Sequence, residues 1–125
     1  MKSYTDLEQS KKLVEILPLE SADMFLALNG HIPVMSKYID DGLVTADITA
    51  ILCWSLAVLL NIIPQEIFNG EYVINITEGC DENWVITYDH IDNKNHSFYE
   101  LSTGADNLID ACYEMILKLN EQKLL

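Results

Sequence analysis

Residues 51–64 read ILCWSLAVLLNIIP, and the fold of the chain turns on what this stretch is. Ten of the fourteen residues are aliphatic or aromatic, and none is charged. A membrane-spanning helix needs about 20 consecutive apolar residues. Here Asp47 and Pro64 bracket only sixteen, which include Thr49, Ser55 and Asn61. No Lys or Arg flanks the run to orient it in a bilayer. A helix that is apolar on every side is a buried one. The stretch therefore predicts the central helix of a water-soluble core over residues 53–63, with residues 48–52 as its first turn or an extended lead-in. Ser55 is placed to cap free amides, and Pro64 ends the helix. Trp54 then anchors the core; the competing reading makes it an aromatic lining a groove beside Ser55 and the Cys53 thiol.

Working outward, the segment before this helix holds a second one and a hairpin. Thr5-Asp6-Leu7-Glu8 has the form of a capping box, with Thr5 accepting from the Glu8 amide and Glu8 reaching back. It opens a helix predicted to run to about Leu17, with Leu7, Leu13, Val14 and Leu17 as its apolar stripe and Pro18 as its stop. Residues 22–36 read ADMFLALNGHIPVMS. Asn29-Gly30 between two apolar runs signals a tight hairpin turn, with strands over 24–28 and 31–35. Pro33 cannot donate to a ladder, so its strand belongs on an edge or at a bulge. Asp40-Asp41-Gly42 reads as a turn.

Beyond Asn69-Gly70 the hydrophobic period changes to two. Tyr72, Ile74 and Ile76 alternate with Val73, Asn75 and Thr77; Trp84, Ile86 and Tyr88 alternate with Val85, Thr87 and Asp89. These two strands, with a third expected over 96–102, make an antiparallel meander with loops at 78–83 and 90–95. The Tyr72, Trp84 and Tyr88 side is expected to pack on the helices; left exposed, it would bind a partner. Asp106 then caps a last helix, with Leu108, Ile109, Ala111, Cys112, Met115, Ile116 and Leu119 on one side. The order of elements excludes a doubly wound parallel sheet. The fold class is α+β: one small domain over residues 1–125, with an antiparallel sheet packed against a buried central helix and terminal helices.

Charge bounds the function. Twenty Asp and Glu face seven Lys and no Arg, for a net charge of −13. Residues 66–110 hold ten of those carboxylates and one Lys. Nucleic-acid binding needs clustered cations to displace counterions, so no nucleic acid is expected as a partner. Anionic membrane surfaces are disfavoured for the same reason, and the start, MKSYTDLEQSKK, has no apolar core of a signal peptide. The expected location is the cytoplasm, and the Asn75-Ile76-Thr77 and Asn95-His96-Ser97 triplets are then no glycosylation sites. The three cysteines, Cys53, Cys80 and Cys112, are odd in number and form no CxxC. They do not make a disulfide framework.

Catalytic and metal chemistry find little support. His90, Asp92 and His96, with Asp89, Asp81 and Cys80 nearby, could converge on one sheet edge, but their spacing fits no zinc pattern. Residues 81–92 lack the glycine that a calcium loop needs at its sixth place. A Cys80–His90 pair has no supporting local signature. No catalytic residue, no cofactor and no metal ligand is therefore assigned.

Three pieces of the chain carry a resemblance. They are Tyr4-Thr5-Asp6-Leu7-Glu8-Gln9-Ser10-Lys11-Lys12-Leu13 with Ala22-Asp23-Met24; Cys53-Trp54-Ser55-Leu56 with Leu59-Leu60 and Ile63-Pro64; and Asp110-Ala111-Cys112-Tyr113-Glu114-Met115. Together they resemble a family of small uncharacterised proteins of Bacteroides-type gut anaerobes, many carried on prophages and conjugative elements. Leu52 departs from the family pattern, which has a proline before the Cys-Trp-Ser-Leu unit. The resemblance implies a shared fold and no particular activity. The expected function is that of a non-catalytic accessory or interaction protein of a mobile genetic element, acting through an acidic surface. Its partner would be a basic host or element-encoded protein, with a homodimer as a further candidate. A nucleic-acid mimic seated in a basic groove is the sharper form. The alternative is a small-ligand binder or enzyme with a pocket between the central helix and the sheet.

Overall fold

The structure is a computed structural model that describes residues 2–27, 32–35, 50–79, 83–93 and 96–125. The chain is α+β, and its sheets are antiparallel. It divides into two compact units, Ser3–Val58 and Leu59–Leu125 with Lys2.

In the first unit, helix α1 spans Leu7–Val14. Its N-cap is Asp6, not Thr5: the Asp6 carboxylate accepts from the Gln9 amide at 2.9 Å, and the Gln9 side chain accepts from the Asp6 amide at 3.1 Å. The box sits one residue later than expected because the Thr5 hydroxyl is taken elsewhere, accepting from the Trp54 amide at 3.0 Å. The helix also ends at Val14 rather than Leu17, where the Leu13 carbonyl collects the amides of both Ile16 and Leu17. Strands β1 (Met24–Ala27), β2 (Ile32–Met35) and β3 (Ala50–Cys53) pair antiparallel in the order β2-β1-β3. Pro33 thus lies on an edge strand, opposite Leu26. The Asn29-Gly30 and Asp40-Asp41-Gly42 turns lie outside the described residues.

The opening stretch resolves into strand, link and helix. Ile51 to Cys53 pair with Leu26 to Met24, so the lead-in is extended and Cys53 belongs to β3. Helix α2 spans Leu56–Ile62, three residues later than the expected start. The ladder claims Cys53, and Ser55 caps the helix, its hydroxyl accepting from the Val58 amide at 3.4 Å. The Asp23 carboxylate holds that serine by its amide at 2.8 Å and its hydroxyl at 2.5 Å. Cys53 and Trp54 are wholly buried, as are Leu59 and Ile63 further on, whereas Ala57 and Asn61 are exposed. Trp54 is a core anchor. Its indole N–H donates to Ser21 Oγ at 2.9 Å, and its backbone carbonyl accepts from the Thr5 amide at 2.9 Å. Thr5 and Ser10, both buried, lie with their hydroxyl oxygens 2.8 Å apart. Among the described residues no buried side-chain polar atom lacks a partner, as expected where desolvating an unpaired group costs about 1–3 kcal/mol.

In the second unit, β4 (Glu66–Ile67), β5 (Tyr72–Glu78), β6 (Trp84–His90) and β7 (Thr103–Ala105) form an antiparallel sheet in chain order. The third strand of the meander is Thr103–Ala105, not 96–102. Over 96–102 the chain makes a single bridge, Asp89 to Ser97, then a 3₁₀ turn at Tyr99–Leu101. Strand β4 was not foreseen; two residues are too few to show a period. The turn from β4 to β5 puts Phe68, Asn69 and Gly70 at φ 53°, 57° and 86°. Three successive left-handed residues reverse the chain tightly, and only glycine adopts that region without cost.

Helix α3 spans Leu108–Glu121 and packs on β6 and β7. Its N-cap is Asn107 rather than Asp106, accepting from the Asp110 amide at 2.9 Å. Ile109, Ala111, Cys112, Met115, Ile116 and Leu119 are buried, as the spacing predicts, while Leu108 is half-buried. Each large apolar side chain here contributes about 1.5–3 kcal/mol in gross transfer free energy. Ile86 and Tyr88 are buried on the sheet side, with Ile74 and Ile76 beside them on β5. Thr103 Oγ1 donates to the Ala111 carbonyl at 3.2 Å, tying β7 to α3. The helix closes with Lys123 at φ 58°: its amide goes to the Asn120 carbonyl and the Leu124 amide to the Leu119 carbonyl. That is a Schellman arrangement with lysine where glycine is usual. Among the described residues, no helix is long and apolar enough to cross a membrane.

Candidate functional site

The side of β5 and β6 that carries Val73, Asn75, Thr87 and Asp89 is the outward one, since the alternate residues Tyr72, Ile86 and Tyr88 are buried. Register places Val73 opposite Asp89 and Asn75 opposite Thr87. An open depression of roughly 330 Å³ lies at this end of the sheet, lined by Val73, Ile74, Asn75, Asp89, His90 and Ile91. Two of its walls are apolar and wet: Val73 is 38% and Ile91 52% exposed. At that volume it stands at the small end of the range for ligand pockets.

Its charged element is Asp89. Asn75 Nδ2 donates to Oδ2 at 3.0 Å and Ser97 Oγ to Oδ1 at 2.7 Å, with Thr87 a third side-chain partner. Partial desolvation pushes the carboxyl upward, but the bonds from Ser97, Asn75 and Thr87 favour the charged form and together hold it below the usual Asp range. The group is therefore an anion at neutral pH and a weak base.

His90 forms the rim. Its Nδ1 accepts from the Asp92 amide at 3.1 Å, and its Nε2 lies 3.3 Å from Glu71 Oε1. An acceptor at Nδ1 places the proton of the neutral ring on Nε2. Behind the rim the rings pack edge to face: Tyr72 against His90 (centroids 5.2 Å, 90°), Phe98 (5.6 Å) and Phe68 (6.0 Å), and Phe68 against Phe98 (5.2 Å). The His90 and His96 rings are 6.2 Å apart. This cluster fixes the end of the sheet from which Glu71, Val73 and Ile91 project.

The structure thus brings His90, Asp92, His96 and Asp89 into one neighbourhood. Among the described residues no three His, Cys, Asp or Glu side chains are grouped to hold a metal ion. Cys80 and Asp81, the remaining members of that group, lie outside the described residues. The Tyr72, Trp84 and Tyr88 side belongs largely to the core, with Tyr88 wholly buried and its hydroxyl donating to the Pro64 carbonyl. The Trp54, Ser55 and Cys53 group is structural. Burial, and secondarily the Asp23 charge, pushes the Cys53 thiol up to about 12, so it is no nucleophile at neutral pH. Burial does the same to Cys112. Asn75, Ser97, Val73 and Ile91 carried no chemical signal of their own in the sequence. Alternation put Val73 and Asn75 outward, but only the register of β5 on β6 sets them beside Asp89.

No family model, curated protein or solved structure matches the chain.

Proposed function

We propose that this chain is a non-catalytic interaction protein that engages a basic protein through its acidic surface, in the cytoplasm and in the service of a mobile genetic element. The carrying observation is the state of the carboxylates in the second unit. Glu66, Glu71, Glu78, Asp92, Glu100, Asp106, Glu114 and Glu121 are all exposed. Among the described lysines of this unit, Lys118 donates to the Ser102 carbonyl at 2.7 Å and Lys2 pairs with Asp110 at 2.7 Å, while Lys123 is exposed at the end of α3. Uncompensated negative charge of this kind draws cationic partners and accelerates their encounter. The resemblance of both ends and the centre of the chain to element-borne proteins supports the biological setting.

The test is affinity capture from host lysate at low and at high salt, with duplex DNA as competitor. A basic protein should be recovered at low salt and lost near 1 M, where the screening length falls to about 3 Å. DNA should release it if the surface mimics a nucleic acid. Recovery of no basic protein, or a salt-indifferent complex, removes the proposal.

A further inference from the structure

We infer that the depression on the outward face of β5 and β6 is a seat for an arginine side chain of the basic partner, with Val73 and Ile91 taking its aliphatic stem and Asp89 and Glu71 its guanidinium. This rests on the function proposed above and names the point of contact. Two apolar side chains, Val73 and Ile91, stand wet beside Asn75 and Asp89 on this face, and both line the same hollow. Neither is needed by the core, which lies on the other side of the sheet. A long cationic side chain covers such surface with its methylenes while its head stays near anions.

The anions are in place. The Asp89 oxygens each accept a bond, from Ser97 and from Asn75, that fixes the plane of the carboxylate before anything binds. A carboxylate offers about four acceptor sites, so beside Ser97, Asn75 and Thr87 one remains for a guanidinium N–H. Glu71, more than half exposed, lies with Oε1 3.3 Å from Nε2 of His90, which lines the hollow. Arginine fits better than lysine because its planar fork can bridge two carboxylates, giving one N–H to Asp89 and others to Glu71. Preorganisation of the anion lowers the entropic cost of capture.

The experiment titrates the isotope-labelled full chain with a short Gly/Arg repeat peptide, its lysine counterpart and its citrulline counterpart, at low salt. Amide shifts should centre on Val73, Asn75, Asp89, Ile91 and Ser97. Asp89→Asn and Ile91→Ser should each weaken the arginine peptide about tenfold, as expected for one charge-assisted bond or one buried apolar stem. The lysine peptide should bind more weakly, and the citrulline peptide should not bind. Ile91→Ser alters an exposed side chain and leaves the core untouched, so its effect is not one of misfolding. Binding of the arginine peptide with scattered shifts, undiminished in both variants, overturns the seat and leaves the acidic-surface function standing. Equal binding of the citrulline peptide overturns the role of the carboxylates. Failure of every cationic peptide and of every basic protein removes both.

Discussion

The Trp54 hub of the first unit and the α3–sheet core of the second bury their centres equally well by opposite means. Around Trp54 the contacts are directional. Its indole N–H is held by Ser21, both of its backbone polar groups by Thr5, and the next residue by Asp23. Under α3 the contacts are mostly apolar and shape-driven, with Thr103 the buried polar link. Volume-conserving apolar swaps are usually tolerated in a core of the second kind. A core of the first kind tolerates little, because removing one partner strands another in a dry place.

The contrast can be broken or sharpened by substitution. Trp54→Ala should be the most damaging, costing about 3–5 kcal/mol in urea unfolding, with loss of protection from hydrogen exchange across β1 and β3. Met115→Ala should cost about 2–5 kcal/mol, and Met115→Leu less than about 1.5 kcal/mol, since the site asks only for volume. Thr5→Val keeps shape but strands the Trp54 amide. It should cost about 1–3 kcal/mol, and a change below about 0.5 kcal/mol would erase the distinction between the two cores. Alkaline titration acts on both. The folded thiols of Cys53 and Cys112 ionise near 12 against an ordinary value of 9, so above pH 9 the unfolded chain loses protons that the folded chain keeps. Stability is therefore whole below pH 9 and declines as pH rises toward 12, read as a falling melting temperature. Cys53→Ala and Cys112→Ala should each flatten that decline. Smallest of all, Lys123→Gly should stabilise by up to about 1 kcal/mol by relieving the left-handed residue that closes α3.

What could be read from the residues follows the same divide. Period two in Tyr72 to Thr77 and Trp84 to Asp89, and helical spacing from Ile109 to Leu119, are local patterns that state which side faces the core; the second unit obeys them. The Trp54 hub joins residues as far as 49 positions apart, and no window along the chain shows that the Trp54 amide will claim the Thr5 hydroxyl. The cap of α1 moved one residue for that reason. The third strand failed differently. Residues 96–102 carry aromatic, strand-favouring side chains, yet Tyr99 is 91% exposed, while the weak Thr103-Gly104-Ala105 becomes a strand by pairing with Trp84 to Ile86. Tertiary pairing overrode local preference. The depression at Asp89 depends on register, which a period-two pattern leaves open to shifts of two residues.

Among the described residues, each compact unit encloses one sulfhydryl, Cys53 in the first and Cys112 in the second, both shut off from solvent. In a Cys80→Ser background the chain thereby carries a pair of chemical stopwatches. An alkylating reagent can reach either sulfur only when the surrounding structure opens, so the two labelling rates, resolved by peptide mass, time the opening of each unit within a single undisturbed molecule.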